Sequence, residues 1–336
     1  MAIESTTRET ASVQTDSEPV ARQWRFTPAY LWYVVRRWPI IPAVILAVLV
    51  ITGVFADQLA PYDENENDLR FRNAPPRIFN TNSEYWDNAA DLSQALFTPG
   101  DTAGAIKDPS NRYILGADHA GRDVLSRIIH GARISLVVTS VALFSGLILG
   151  VTIGVVSGYY GGIVDEILMR MVDIWYAVPF LLLAMVAVII FEASLNLIIV
   201  LLILLAWSGY VRNLRGEVLS LKERDYVASA RVNGASTFRI IAKHLLPGLV
   251  NTIFVIASLR VGQLILAEAS LSFLGAGIPG PTPAWGVLIA DGREYVGSAW
   301  WQTVFPGTAI FLVVLAFNFL GDWVRDRLDP RLRQLD

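Results

Sequence analysis

The chain has no cysteine, which excludes disulfide staples, thiolate metal sites and cysteine nucleophiles. Its three histidines, His119, His130 and His244, lack ligand spacing, so no metal site is expected from them. Lysine is scarce: only Lys107, Lys222 and Lys243 occur, and none follows a glycine. A Gly-Lys-Ser/Thr phosphate-binding loop is therefore missing, and any ATP hydrolysis must be done by another polypeptide. Neither a Gly-x-Ser-x-Gly elbow nor a His-Glu-x-x-His zinc helix occurs, so covalent catalysis is not expected and the chain reads as a non-enzyme. The first twenty residues are polar and carry acids, unlike a secretory signal. Charge is sparse as well: 17% of the 336 residues are charged and 54% are hydrophobic. That balance lies outside the soluble range and predicts a membrane protein, with lipid as a partner and nucleic acid not.

Six apolar stretches approach the ~20 residues needed to cross about 30 Å of hydrocarbon. They run from Pro39 to Phe55, Ile134 to Val156, Leu168 to Phe191, Leu195 to Val211, Leu249 to Leu271, and Thr303 to Leu320. Bases set the orientation. They cluster in the N-terminal arm (Arg8, Arg22, Arg25, Arg36, Arg37), between the fourth and fifth stretches (Arg212, Arg215, Lys222, Arg224, Arg231, Arg239, Lys243), and in the tail (Arg325, Arg327, Arg331, Arg333). With six spans these three segments share one side, predicted to be cytoplasmic. The segment after the first stretch carries bases too, but long segments translocate largely regardless of charge. Ser272 to Gln302 has one base, Arg293, and places Trp300 and Trp301 where they suit a membrane interface.

Within the second stretch Gly146, Gly150, Gly154 and Gly158 recur every four residues, on one helix face; a tight helix contact and a glycine-lined pore both fit. The run Asp63 to Asp68 has oxygen ligands at the first, third and fifth positions of a calcium loop. It lacks the glycine and the closing glutamate, and reads better as a solvated acidic loop. Arg260, Gln263 and Glu268 fall inside the fifth stretch, where ionisable groups are costly and hence functional suspects. They are candidates for a translocation pathway or an ion-coupling site, with a buried ion pair or snorkelling as the structural alternative. Arg170 and Asp173, at the start of the third stretch, suit a structural role near the surface.

Between the fourth and fifth stretches, Tyr226 to Leu246 is rich in helix formers but broken at Asn233-Gly234-Ala235-Ser236. Gly234 can end one helix, Ser236 or Thr237 can cap the next, and Pro247 marks the entry to the fifth span. The pattern predicts helix, turn and short helix outside the bilayer; a membrane-surface hairpin and a docking loop both fit it.

The residues Ala228-Ser229-Ala230, Gly234 and Leu246-Pro247 resemble the Glu-Ala-Ala, Gly, Leu-Pro motif of importer-type ABC transporter permeases. Leu115 to Asp123, with Ser126-Arg127 and Gly131 to Leu136, is similar to the block before the second span of peptide and nickel permeases. Glu268 to Gly275, with Pro281 to Gly286, is similar to that family's block after the fifth span. The resemblance runs from Leu115 almost to the last span and points to the C-type subunit of dipeptide and oligopeptide systems. One departure stands out: Ala228 occupies the place of the motif's glutamate, and Ser229 that of its first alanine.

The resemblance implies an all-α membrane protein of six transmembrane helices. Residues 1–38 would form a cytoplasmic arm, 39–55 the first span, 56–133 a long extracytoplasmic segment, 134–321 the permease core and 322–336 a cytoplasmic tail. The cytoplasmic coupling loop, 212–248, would dock an ATPase through Tyr226, Ala228, Ser229, Ala230, Arg231, Gly234, Ala235, Arg239, His244 and Pro247. Gly116, Asp118, Gly121, Arg122, Asp123, Arg127, Pro283, Trp285 and Gly286 are implied as family positions at the external face. The implied partners are a second permease subunit, two ATPases that bind ATP and Mg, and an external solute-binding protein. The implied cargo is peptides or a related solute. An ion-coupled secondary transporter using Arg260 and Glu268 is the alternative from another class.

Overall fold

The computed structural model describes residues 39–79 and 113–328, and these are helical with no strand among them. The expected N-terminal arm, the middle of the long segment after the first span and the last eight residues lie outside the described residues, and with them Arg8, Arg22, Arg25, Arg36, Arg37, Arg331 and Arg333. The helices are α1 (Ile40–Val54), α2 (Ala56–Leu59), α3 (Val124–Tyr160), α4 (Gly162–Ala177), α5 (Phe180–Phe191) and α6 (Leu195–Leu221). They continue as α7 (Asp225–Val232), α8 (Thr237–Ile240), α9 (Leu246–Phe273), α10 (Trp285–Gly292) and α11 (Trp301–Leu328).

Four helical segments are long and apolar enough to cross a bilayer: α3, α6, the run Thr237–Phe273 and α11. Their outward side chains, such as Phe144, Ile148, Phe254 and Phe311, are large and apolar, which water would penalise and lipid does not. α1 has 15 residues, about 22 Å at the helical rise, and falls short on its own. The stretch expected as one span from Leu168 to Phe191 is not one helix. It breaks between α4 and α5, which meet at a bend of 81°. Pro179 is the cause: proline forces the preceding Val178 into extended backbone (ψ 122°), so α4 ends and α5 starts afresh.

The other long helices outrun their expected bounds, α3 and α6 the furthest. α3 begins at Val124, ten residues before Ile134, because the Asp123 carboxylate caps it by accepting from the Ser126 amide at 2.7 Å and hydroxyl at 2.6 Å. α6 continues to Leu221, beyond the expected end at Val211, because its basic last turns find partners. Arg212 bonds Asp173 at 2.6 Å, which gives Asp173 the structural role expected of it, and Arg215 grips both oxygens of Asp165. Lys222 donates to the Gly158 carbonyl at 2.9 Å.

The glycine stripe decides how α3 and α6 pack. An added Cβ at Gly146 would meet Ala206 Cβ at 2.4 Å, and one at Gly150 the Trp207 carbonyl at 2.5 Å. At Gly154 and Gly158 the neighbours are Val211, Leu214 and Val218. The missing side chains let the two backbones touch along four turns, so the stripe is a helix contact and does not line a pore.

Candidate coupling loop, polar cleft and motif cluster

The loop between α6 and α9 starts from α7, whose end has a specific geometry. Gly234 adopts φ +76°, its amide donates to the Arg231 carbonyl, and the Ala235 amide donates to the Ala230 carbonyl. This pair of bonds is the glycine-terminated Schellman cap, which needs positive φ at that residue. Ser236 then caps α8 by accepting from the Arg239 amide at 3.4 Å. The sequence-derived break thus takes the form expected of it. Pro247 falls in the first turn of α9, at the expected entry to the fifth span, but the short helix before it does not stop there. A π turn, Ile241–Leu245, carries α8 straight into α9, with the Leu246 amide bonding back to the Ile241 carbonyl. Pro247 has no amide hydrogen and its ring crowds the preceding turn, and the widened turn accommodates it without ending the helix.

Val227, Ile240 and Leu245 are buried against Val155, Leu214, Val218 and Leu249, with Ala230 and Ala235 packed on the same cluster. The loop is therefore anchored on α3, α6 and α9. Tyr226 and His244 face each other with ring centroids 6.3 Å apart. Ala228, Ser229, Arg231 and Arg239 are exposed, as is Pro247. Two exposed apolar side chains escaped the sequence reading: Val232 is 89% and Phe238 81% exposed, one on each side of the break. Nothing in hydropathy separates them from anchors such as Val227; only the packing does.

A cleft of about 640 Å³ lies along α6, α9 and α11. Arg260 and Gln263 line it, together with Glu217, Asn251, Thr252 and Arg325. Arg260 donates to Gln263 at 2.9 Å. Its guanidinium lies against Gly209 of α6, where any Cβ would collide with Nη2. Glu268, expected alongside them, is not in the cleft lining. It is 1% exposed, and one carboxylate oxygen accepts from Ser272 at 2.8 Å. The other oxygen has no partner among the described residues. Arg260 and Glu268 form no ion pair, so the buried ion pair given as their structural alternative is not formed.

The family positions implied for the external face converge on one buried cluster at the start of α3. Asp118 accepts from the amides of Ala120 and Arg122, from Arg122 Nε at 2.7 Å and from Arg127 Nη1 at 2.7 Å. Arg127 is 1% exposed. Burial alone would raise the Asp118 carboxyl, but Arg127 and Arg122 outweigh it and hold it below the usual carboxylate range. Burial pushes the Asp123 carboxyl up against its bonds to Ser126. Gly121 sits at φ +73°, and a Cβ there would run into the Asp68 carbonyl. The second block joins the first: Trp285 donates to the Ile128 carbonyl at 2.9 Å, and its ring and the Pro283 carbonyl both lie against Gly131. Gly286 lies on Ala269, and Gly116 abuts the indole of Trp301. Trp301 itself is buried and donates to the Ala117 carbonyl at 3.0 Å, so of the two expected interface aromatics only Trp300 is exposed to serve as one.

A bundle of apolar helices with a polar cleft, and a polar loop anchored at one end, defines a multi-span membrane protein of the transport type. Residues 150–334 match the family described as binding-protein-dependent transport system inner membrane component. The chain belongs to that family. It is 42% identical over 225 residues to the glutathione transport system permease protein of Pectobacterium atrosepticum, covering 67% of this chain and 75% of that one. To the dipeptide transport system permease protein of Bacillus subtilis it is 43% identical over 227 residues, covering 67% and 71%. To the nickel transport system permease protein of Escherichia coli K12 it is 33% identical over 297 residues, covering 88% and 95%. Among solved structures, an inward-facing methionine ABC transporter, MetNI, aligns with a TM-score of 0.51 at 21% identity, over 61% of this chain and 97% of that one.

Proposed function

We propose that this chain is one of two membrane-spanning subunits of an importer that moves small peptides, energised by two separate ATPase subunits and fed by an extracytoplasmic solute-binding protein. The observation that carries the peptide reading is the similarity, above 40% identity, to permeases named for dipeptide and glutathione transport. In this reading α1 and the bent pair α4–α5 complete six spans, and ATP and Mg stay with the ATPases.

The loop from Tyr226 to Leu246 is the part that meets an ATPase. It packs on α3 and α6 and runs without a break into α9, so displacement of the loop moves those helices with it. ATP binding shifts access to the cleft only insofar as the ATPase pair holds the loop differently in its closed and open states. The test is reconstitution of the full complex in liposomes. Uptake of labelled L-alanyl-L-alanine should require both ATP and the binding protein; uptake that persists without ATP would overturn the reading.

Positive-inside orientation puts the loop in the cytoplasm. The chain has no cysteine of its own, so single cysteines report topology without background. Ser298→Cys, on the segment before α11, is expected to react with an impermeant thiol reagent on intact spheroplasts. Ser236→Cys should react only after permeabilisation. The opposite pattern would invert the topology.

A further inference from the structure

The cleft has an orientation that its lining makes chemically specific. Gly248 of α9 lies against Leu221 of α6, and Arg260 lies against Gly209, so the two helices run antiparallel along it. From Gly248, at the loop end, to Arg260 is about 18 Å along the helix, which places Arg260 near the middle of α9. A cation at that depth is expensive unless it is paired or faces a polar cavity. Arg260 is paired with no carboxylate among the described residues; its one hydrogen bond goes to Gln263. Guanidinium offers five N–H donors in a planar fork that fits a carboxylate with two parallel bonds. Arg260 therefore holds an unused anion-binding edge facing the cleft.

Toward the loop the cleft lining adds an acid, Glu217, and a second base, Arg325. Glu217, which has no ion-pair partner among the described residues, lies two helical turns from Gly209 toward the loop, about 12 Å along α6. An extended peptide of two or three residues spans about 7–11 Å. A short zwitterion with its carboxylate on Arg260 thus directs its ammonium group toward Glu217.

We propose that Arg260, oriented by Gln263, receives the C-terminal carboxylate of the peptide in transit, so that the permease itself, beyond the binding protein, selects for solutes with a free carboxylate. This rests on the peptide reading above. The test uses the complete complex in proteoliposomes, with one binding protein throughout, and compares L-alanyl-L-alanine with L-alanyl-L-alaninamide. In Arg260→Gln, uptake of the free acid should fall about tenfold or more, the loss expected for a charge-assisted bond, while the amide is moved as before. Arg260→Lys should keep part of the preference, and binding-protein-stimulated ATP hydrolysis should survive in both variants. Equal loss for both peptides would mark an arginine held by packing or by a lipid phosphate, and an unchanged acid-to-amide ratio would mark a bystander; either overturns the inference alone. A wild-type complex that moves neither peptide, though it hydrolyses ATP, would overturn the peptide reading and this inference with it.

Discussion

Asp118→Asn is expected to cost the permease most of its accumulation in the membrane. The carboxylate neutralises Arg127, which is 1% exposed, and Arg122, and its removal leaves Arg127 with only Asp291, 4.0 Å away, among the described residues. Breaking a buried pair from one side typically costs about 3–5 kcal/mol because the remaining charge is stranded. A loss of that size exceeds what most folds tolerate and should appear as a several-fold drop in membrane abundance and a lower temperature of aggregation in detergent. The double variant Asp118→Asn with Arg127→Met should recover much of the loss, since replacing both charges removes the stranded one. The sign of the pH effect follows from the same geometry. The Asp118 carboxyl is held below the usual range, so its stabilisation is present above its unfolded pKa and is lost as pH falls through the folded one. Full abundance of the single variant would show that the cluster does not hold the start of α3.

Phe238→Asp is expected to abolish transport without disturbing the membrane part. Phe238 is 81% exposed, and the loop is held instead by Val227, Ile240 and Leu245, which the substitution does not touch. In the proposed complex, Phe238 and Val232 are the large apolar groups that the loop offers an ATPase, and Ala228 offers no carboxylate where the motif has one. Anchors of this kind carry about 2 kcal/mol or more of an interface, enough to lower uptake by about 30-fold or more where docking limits transport. The expected result is normal membrane abundance, little ATPase recovered with the permease, and uptake near background. Wild-type uptake by this variant would place the docking surface elsewhere on the loop.

Much of the loop could be read from the chain. The Gly234 break and the Ser236 cap are local devices, set by backbone conformations that a few neighbouring residues determine, and local sequence specifies them. Pro179 carried an equally local signal, and the continuous apolar run from Leu168 to Phe191 masked it. Hydropathy is blind to direction, and a bent pair reads like a straight span. Pro247 stands at the start of α9 as expected, and what its local signal did not show is the π turn that gives its ring room and joins the short helix to the span. Val232 and Phe238 were invisible for a further reason, since exposure belongs to the packed loop and not to the residue type.

The sequence by itself determined the membrane class, the lack of cysteine and of a Gly-Lys-Ser/Thr loop, the helical character and the four-residue glycine period. Each follows from composition or from a period shorter than two helical turns. Only the tertiary structure decided what those pieces meet: that the glycine stripe receives α6, that blocks 150 residues apart close on Asp118 and Trp285, and that Arg260 faces a cleft while Glu268, two turns away, does not. The reason is physical. A helix can turn any face toward its neighbours, and the choice is made by which burial leaves the fewest unpaired charges and the fewest voids across all the helices at once.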